Sequence, residues 1–407
     1  MDRTFVPDSK NEILDIIRTT INAKKSVEIM GTGSKRGWGR PNQTSELLDL
    51  SNLSAITLYE PQELVMTADA ATPIQDIRHV LAENGQQLAF EPPNLSPLYG
   101  GSEDIGTIGG IIATNLSGPR RIQTGAARDF CLGFEAISGQ GEEFKSGGRV
   151  VKNVTGFDLA KLLSGSFGTL AVMVSVTIKT LPRPEKTRTA LVYGLDDKRG
   201  IQALSESLRG SFEVNAAAHI PAEIAEKSSV SRINGRAKSV TAVRLQGPVT
   251  SVDARCQGVQ VLWKSYGEVE ELHSHNSACL WKEIRDIYPL LSNQTDQIWR
   301  ISAPPSQGAD LVAKIRTAVE CKIYFDWGGG LIWLAAEGKL RGVGEIIRSA
   351  LTSFGGHATL MRGSLALRLA SDVFQPQAQA LSRLTKSIKE NFDPARVLNP
   401  GRMYEGV

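Results

Sequence analysis

Two glycine-rich segments in the first third of the chain carry the residue types best suited to hold a ligand. The first, Gly31-Thr32-Gly33-Ser34-Lys35-Arg36-Gly37, follows the short apolar segment 26–30. Small residues allow successive backbone N–H groups to converge on an anion. When this loop is considered alone, an ordinary glycine turn is the alternative. A dinucleotide-binding Rossmann loop is disfavoured, because the third glycine stands at 37 rather than 36 and no helical pattern follows directly.

The second segment, 107–118, alternates small and polar residues with aliphatic ones in the order TIGGIIATNLSG. Glycine allows a ligand to approach the backbone closely, and Thr114, Asn115 and Ser117 offer hydrogen-bonding groups. Such a segment suits a large, flat, partly charged cofactor. Tight sheet packing is the alternative explanation of its glycines.

A third segment, 151–158 (VKNVTGFD), places a lysine, an asparagine and an aspartate among apolar residues, and another glycine loop follows at 165–168. A buried charge is unfavourable unless it is paired. Lys152 and Asp158 are therefore expected either to pair with each other or to face a cofactor.

Recognisable helix and strand signals surround these segments. Residues 9–12 have the spacing of a capping box, which predicts a helix that begins there. A second helix is predicted between Pro73 and Gly85, and a third over 157–163. Strands are predicted at 26–30, 132–138 and 168–180. A structureless stretch as long as 91–130 inside a compact domain is usually functional or disordered, and residues 108–113 are too apolar for a disordered linker, so we interpret this region as ordered backbone wrapped closely around another group.

A length of 407 residues predicts two or three domains. Pro182 and Pro184 interrupt any strand ladder and mark a plausible boundary. We therefore divide the chain into a ligand-binding domain, 1–182, a second domain, 183–390, and a C-terminal segment, 391–407, that returns to the first domain. The mixture of helical and strand patterns in the second domain predicts an α+β fold with an antiparallel sheet.

Composition excludes several classes of protein. The net charge is only +3, without a concentrated basic stripe, so a nucleic-acid binder is not indicated. The four cysteines lie far apart, which argues against an iron–sulfur cluster or a zinc site and favours buried free thiols. The polar N-terminus is unlike a signal peptide, and the longest apolar run, Leu170–Ile178, is too short to cross a bilayer. A cytoplasmic protein is expected, with membrane association only through partners.

The order of motifs resembles a known family. GTGS is followed by ELVMTADAATP, FEPP, GTIGGIIATNLSG, RDF and VVKNVTGFDLAKLLSGSFGTLAVMVSVTIK. This order is similar to the FAD-binding module of the vanillyl-alcohol-oxidase and para-cresol-methylhydroxylase superfamily over residues 5–182. Within that superfamily the chain is most similar to the E-type flavin subunits of bacterial glycolate oxidases, and GGHATLMRG and FDPARVLNPGRMY near the C-terminus support the resemblance.

The resemblance implies a set of FAD contacts. The first loop would bind the pyrophosphate through its backbone, the second segment would line the flavin and its phosphates, and the 168–172 region would contact the adenine end by main-chain groups. Asn399 and Arg402 would approach the flavin ring from the C-terminal side. The implied cofactor-binding residues are Gly31, Thr32, Gly33, Ser34, Lys35, Gly109, Gly110, Thr114, Asn115, Ser117, Gly118, Gly125, Asp129, Gly168, Thr169 and Val172.

The sequence departs from the family in two places. Members with a covalent flavin usually have a histidine in the first loop, where this chain has Ser34 and Lys35, so a dissociable FAD is expected. Many relatives have GxEGTLG where this chain has Gly165-Ser166-Phe167-Gly168-Thr169-Leu170, which bears on the adenine contacts.

Oxidation of a 2-hydroxy acid needs a base for the hydroxyl proton and cations for the carboxylate. His357 and Arg362 are the candidates for these roles. The pair His273-x-His275 would share one face of a strand, and we interpret it as solvent-exposed rather than as a metal site. His79 is expected at a helix surface, and Arg285 and Arg300 are interpreted as structural or interface residues. No metal site is predicted.

The scarcity of catalytic candidates supports a subunit role. The resemblance implies a paralogous FAD-containing catalytic subunit, an iron–sulfur subunit and a small 2-hydroxy acid as substrate, in a complex that can lie at the inner face of the cell membrane. A self-sufficient FAD-dependent dehydrogenase of glycolate or D-lactate is the first alternative. A flavin-free scaffold subunit is the second.

Overall fold

A computed structural model describes residues 3–42, 44, 46–149 and 156–407. The two alternatives for Lys152 and Asp158, a mutual pair or a cofactor contact, cannot be distinguished, because Lys152 lies outside the described residues. The chain forms two compact units. The first unit comprises Met1–Ser117, Gly125–Arg183 and Pro376–Val407, and the second unit comprises Gly118–Thr124 and Pro184–Gln375.

Helices and strands alternate along the described residues. The strands are β1 (Arg3–Phe5), β2 (Val27–Met30), β3 (Glu46–Asp49), β4 (Ile56–Glu60), β5 (Val65–Asp69), β6 (Gln86–Gln87), β7 (Cys131–Ser138), β8 (Glu143–Gly147), β9 (Ala171–Lys179), β10 (Leu181–Pro182), β11 (Lys186–Tyr193), β12 (Ala216–Ile220), β13 (Val240–Gly247), β14 (Val269–His273), β15 (Gln297–Ser302), β16 (Lys322–Asp326), β17 (Leu331–Ala336) and β18 (His357–Arg362). The helices are α1 (Lys10–Asn22), α2 (Ile74–Glu83), α3 (Ile108–Thr114), α4 (Arg121–Thr124), α5 (Ala127–Phe130), α6 (Leu159–Leu163), α7 (Asp197–Arg209), α8 (Ala222–Ala225), α9 (Val249–Trp263), α10 (Ser274–Arg285), α11 (Gly308–Arg316), α12 (Val343–Phe354), α13 (Leu365–Ala370) and α14 (Gln379–Phe392).

The first unit contains two main sheets among its described residues. A parallel sheet has the order β1-β3-β2, and an antiparallel sheet has the order β4-β5-β9-β7-β8. Residues from both sheets and from α1 share one apolar core, in which Ile13, Val27, Leu48 and Val172 are fully buried. The C-terminal segment joins this core through Leu398, which forms a parallel bridge with Val27. The loop that follows β2 therefore begins at a strand that is packed into this core.

The second unit is built on one antiparallel sheet with the order β14-β11-β13-β12-β16-β17-β15-β18. Helices α7, α9 and α10 pack against β11 and β13. Strand β17 is buried along its whole length, as expected for a central strand whose sequence is continuously apolar. This sheet brings the C-terminal ends of β15 and β16 near the N-terminal end of β18. Ser302 pairs with His357 on one side and with Leu331 on the other, and Leu331 pairs with Asp326.

Local sequence signals account for most element boundaries. The hydroxyl of Ser9 accepts a hydrogen bond from the Glu12 N–H at 3.3 Å and so caps α1. The Glu12 carboxylate accepts from the Asp8 N–H at 3.0 Å, one residue earlier than in an ideal capping box. Pro73 precedes α2 as its N-cap residue rather than occupying the first helical turn. The other strands and helices that were predicted lie within a few residues of their expected positions.

Two local predictions are wrong. Residues 108–114, for which no helix was predicted, form α3. His273 and His275 do not share a strand, because β14 ends at His273 and His275 lies in the first turn of α10, but both side chains are exposed as expected. His275 instead has its Nε2 3.6 Å from the Cys279 Sγ, one helical turn further on.

All four cysteines are free thiols, and Cys131 and Cys256 are buried, whereas Cys279 and Cys321 are partly exposed. Among the described residues there is no group of three His, Cys, Asp or Glu side chains that could hold a metal ion. Within the same residues, no helix combines the length and the apolar character needed to cross a membrane.

Candidate functional site

The first unit contains a cleft of about 800 Å³ that is partly open to solvent. The loop after β2 forms one wall, the first turns of α3 form another, and the start of β9 with its preceding loop forms the floor. Of the cofactor-binding residues that the resemblance implies, those that line the cleft are Gly31, Thr32, Gly33, Ser34, Lys35, Gly109, Gly110, Thr114 and Gly168.

The C-terminal segment braces the loop after β2. The Asn399 side chain accepts a hydrogen bond from the Ile29 N–H at 2.9 Å and donates one to the Phe167 carbonyl at 2.8 Å, so it connects the first wall with the floor. Arg402 donates to the Lys35 carbonyl at 2.9 Å. Both side chains line the cleft. Their observed contacts hold the walls of the cleft in place.

Glu28 is the acidic side chain in the lining of the cleft, and its charge is compensated. The carboxylate is buried and accepts two hydrogen bonds from Arg36, at 2.7 and 3.1 Å. Arg402 lies on its other side, with an Nη1–Oε1 distance of 3.5 Å. The sequence signal for this arrangement is weak, because Glu28 is simply an acidic residue within an apolar strand.

The wall formed by α3 depends on close backbone contact. A β-carbon at Gly109 would lie 2.7 Å from the Ala70 carbonyl oxygen, so a larger residue would push α3 away from the end of β5. Thr107 caps the helix by accepting a hydrogen bond from the Gly110 N–H at 3.4 Å. This role of Thr107 was not predicted, although threonine is among the residues preferred at the N-cap of a helix.

The other implied cofactor residues lie elsewhere and have structural partners. Asn115 accepts from the Arg128 N–H and Ser117 accepts from the Ala127 N–H, so both fix the start of α5. Asp129 accepts from the Ala126 N–H at 2.8 Å and packs against Gly125. The remaining residues do not line the cleft either: the Thr169 hydroxyl donates to the Ser166 carbonyl, Val172 is buried in the apolar core, and Gly118 belongs to the second unit.

The second unit contains a separate cluster of cationic side chains around Trp327. The guanidinium carbons of Arg121 and Arg300 lie 4.3 and 5.1 Å from the centre of a Trp327 ring. The indole N–H donates to the Gly118 carbonyl at 3.1 Å, which fixes the orientation of the ring. Burial, followed by the nearby Arg121 charge, lowers the pKa of Arg300 to about 10, and Asp326 partly offsets this effect.

His357 stands next to this cluster at the start of β18. It pairs with Ser302 across the sheet, two positions along the strand from Arg300. The His357 side chain is exposed, but partial desolvation, followed by the charges of Arg300 and Arg121, lowers its pKa. A neutral imidazole is therefore favoured near neutral pH.

Arg362 lies at the opposite end of β18 and is engaged by protein groups. Its guanidinium donates to the carbonyls of Asp296 and Asn293, at 2.9 and 2.7 Å, and to the Gln294 side chain at 3.1 Å. Arg285 likewise pairs with Asp286. The structure thus brings His357 together with Arg300 and Arg121 rather than with Arg362.

Comparison with known proteins decides the family. A family model described as "FAD binding domain" matches residues 1–147. The glycolate oxidase subunit GlcE of Escherichia coli (strain K12) is 32% identical to this chain over 98% of both proteins. This chain belongs to the GlcE family. The prediction of an FAD-binding flavoprotein is confirmed, and FAD is the cofactor of this GlcE-family oxidoreductase.

More distant relatives agree with that assignment. The glycolate oxidase subunit GlcD of Bacillus subtilis (strain 168) is 24% identical over 99% of this GlcE-family chain and 89% of its own length. Among solved structures, p-cresol methylhydroxylase with bound substrate matches with a TM-score of 0.72 at 14% identity, covering 98% of this chain and 88% of the other. The 4-ethylphenol oxidase of Gulosibacter chungangensis matches with a TM-score of 0.73 at 12% identity, covering 99% and 89%. These likenesses confirm the predicted fold class, a vanillyl-alcohol-oxidase-type module followed by an α+β domain.

The cleft residues suit this cofactor. Glycines at 31, 33, 109 and 110 line the cleft with backbone that no side chain of their own covers. The lining supplies three cationic side chains, Lys35, Arg36 and Arg402, against one carboxylate. An excess of positive charge beside exposed backbone favours a ligand with phosphate groups.

Proposed function

We propose that this chain holds FAD without a covalent bond, as a flavin subunit of a complex that oxidises glycolate to glyoxylate. The observation that carries the proposal is end-to-end similarity to a glycolate oxidase subunit, together with a cleft whose glycine walls and cations suit FAD. The complex would also contain a paralogous flavin-containing catalytic subunit and an iron–sulfur subunit. Contact with a membrane would come through those partners.

The proposed reaction removes two electrons and two protons from the substrate. The alcohol carbon loses a hydride and the hydroxyl group loses a proton, which leaves the aldehyde of glyoxylate. Bound FAD supplies the hydride acceptor. The described residues of the first unit then have the task of holding the cofactor, through the loop after β2, α3 and the bracing side chains Asn399 and Arg402.

The proposed attachment of FAD is non-covalent, because Ser34 and Lys35 occupy the loop positions where members with a covalent flavin carry histidine. Acid precipitation of the purified chain is expected to release flavin absorbance completely into the supernatant. The measurement is an absorbance spectrum of supernatant and pellet. Flavin that stays with the pellet would contradict non-covalent attachment, and a colourless protein that takes up no added FAD would favour the flavin-free scaffold instead.

Anaerobic addition of glycolate to the purified flavoprotein tests the subunit role. If the chain acts only within a complex, the flavin bands are expected to persist with glycolate alone and to bleach after the two partner subunits are added. Bleaching without partners would establish the second candidate function, a self-sufficient 2-hydroxy-acid dehydrogenase. Dithionite serves as the control that the flavin can be reduced.

The cluster around Trp327 favours this second candidate. Two guanidinium groups lie against one indole, and within the described part of the chain the Arg300 guanidinium has no ion pair or hydrogen bond, although Asp326 acts on it electrostatically. Planar guanidinium groups bind carboxylates through paired hydrogen bonds. The neutral imidazole of His357 could accept the hydroxyl proton of the same substrate.

If the chain is self-sufficient, replacing Arg300 with methionine is expected to raise KM for glycolate at least tenfold, on the order of the 1.5–3 kcal/mol of a charged hydrogen bond. The matched control is Arg341→Met, an exposed arginine in the same unit. Dye-linked steady-state kinetics of the purified chain provide the measurement. Equal KM values for R300M and R341M would eliminate a carboxylate role for Arg300.

A further inference from the structure

The side chain of Lys35 crosses the cleft from the loop after β2 to the first turn of α3. Its backbone is fixed, because its carbonyl accepts hydrogen bonds from Arg402 at 2.9 Å and from the Trp38 N–H at 3.0 Å. A β-carbon placed on Gly110 would lie 3.0 Å from the Lys35 Cε and 3.3 Å from its Nζ. The ammonium group therefore lies directly against the glycine backbone that forms the second wall.

The Lys35 side chain is half-buried in the cleft, and its ammonium lacks a dedicated counter-ion. Its Nζ donates to the Ser34 hydroxyl at 2.9 Å, and no ion pair of Lys35 occurs among the described residues. Asp104 is the acidic group that acts on it, yet the Asp104 carboxylate is paired with Arg78. Burial lowers the pKa of Lys35 to about 8, and Asp104 only partly offsets this effect.

The other charged groups around the cleft are already satisfied by one another. Glu28 on β2 is paired with Arg36 from the same loop and with Arg402 from the C-terminal segment. A partly desolvated ammonium without a counter-ion is less favourable than one that pairs with an anion. Lys35 is thus the cation in this cleft that protein carboxylates leave uncompensated among the described residues.

We propose that the Lys35 side chain is the cationic anchor for the pyrophosphate of FAD, in addition to the backbone contacts of its loop. The inference rests on the proposed function, because it assigns a role toward the cofactor of that function. An approaching pyrophosphate raises the pKa of Lys35 again, so binding favours the protonated amine. Well below pH 8 the amine is already protonated before binding, so Lys35 contributes its full charge and affinity does not change with pH through this group. Above pH 8 binding must take up a proton, and affinity decreases as the pH rises.

The test is isothermal titration of the cofactor-free chain with FAD and with ADP, between pH 7 and pH 9.5. ADP carries the pyrophosphate and the adenine but no flavin, so it separates the two ends of the cofactor. Three variants are compared: Lys35→Met, Lys35→Arg and the matched control Lys145→Met, an exposed lysine on β8. Near-UV circular dichroism of each variant shows whether the fold is intact.

K35M is expected to bind both FAD and ADP at least tenfold more weakly at pH 7, as for loss of a charged hydrogen bond. It should also lose the decline in affinity above pH 8 that the wild type and K145M show. K35R should retain binding and show no such decline, because arginine stays protonated. Normal binding by K35R would show that position 35 tolerates substitution. Weaker binding by K35M, with an intact circular dichroism spectrum, would then result from the lost positive charge.

Two results would overturn the inference. Unchanged ADP binding in K35M, with or without weaker FAD binding, would show that Lys35 does not contact the pyrophosphate. A wild-type affinity that does not change from pH 7 to pH 9.5 would show that no proton is taken up. A wild type that binds neither FAD nor ADP would instead overturn the proposed function, and the role of Lys35 with it.

Discussion

Replacing Lys389 with methionine is expected to destabilise the first unit by about 3–5 kcal/mol, as for other buried ion pairs that lose one partner. Lys389 on α14 is fully buried and pairs with Asp393 at 2.7 Å. Its ammonium also donates to the carbonyls of Thr169 and Leu398, at 2.6 and 2.9 Å. One side chain therefore joins α14, the loop before β9 and the C-terminal segment.

The loss is large because the partner charge stays buried. Asp393 accepts hydrogen bonds from the Val397 and Leu398 N–H groups, so it cannot turn toward solvent without releasing both. A β-carbon on Gly139 would lie 2.2 Å from an Asp393 carboxylate oxygen, which shows how tightly the carboxylate is enclosed. Methionine fills much of the lysine volume but supplies no donor.

Scanning calorimetry and hydrogen exchange provide the measurement. A loss of this size should lower the unfolding temperature of the first unit by roughly 10 °C, with earlier exchange of peptides from β9. Lys386→Met, an exposed position on the same helix, is the control. In the double variant K389M/D393N the buried charge is absent, and part of the stability should return. A K389M transition that coincides with that of K386M would contradict the structural role of the pair.

Replacing Asn399 with alanine is expected to weaken FAD binding by about 5- to 150-fold, equivalent to the 1–3 kcal/mol of a lost buried hydrogen-bond partner. Asn399 connects β2 with the loop before β9, through Ile29 and Phe167. It also adopts a left-handed backbone conformation, with φ of 43°, which asparagine tolerates better than alanine. Both effects are expected to loosen the first wall and the floor of the cleft.

The affinity of the N399A variant for FAD can be measured by quenching of flavin fluorescence. Asn391→Ala is a suitable control, because Asn391 lies on the exposed face of α14 and donates only to the Ser387 carbonyl. Weaker binding in N399A, with an unfolding temperature close to that of the N391A variant, would assign the effect to the cleft. An N399A variant that binds FAD as tightly as the wild type would remove Asn399 from the positioning machinery.

Several features of the fold and the site were predictable from short stretches of sequence. The Ser9 cap, the loop after β2 and the alternating apolar pattern of β9 depend on neighbouring residues, so their signals lie close together in the chain. The order of the glycine motifs was specific enough to identify the FAD-binding family, because a cofactor held by backbone constrains glycine at several fixed positions. The first wall of the cleft was predictable for the same reason, because the loop after β2 is one contiguous glycine-rich segment.

Helix α3 shows where local signals fail. Glycine disfavours helix by about 1 kcal/mol, so the pair Gly109-Gly110 argues against a helix over 108–114. The helix forms because Gly109 packs on the Ala70 backbone, a contact that no window of sequence around residue 109 contains. The hydrogen bonds that Asn115 and Ser117 accept from the N–H groups of α5 likewise join residues whose pairing no local pattern indicates.

The amino-acid sequence by itself determined the cofactor class and the loop that follows β2, because backbone binding of a large anion requires small residues in a fixed local order. The tertiary structure decided which side chains surround that loop. Glu28 and Arg402 stand more than 370 residues apart along the chain, and Arg121 lies nearly 180 residues from Arg300. A pairing between distant residues depends on sheet register and core packing, which no local pattern encodes.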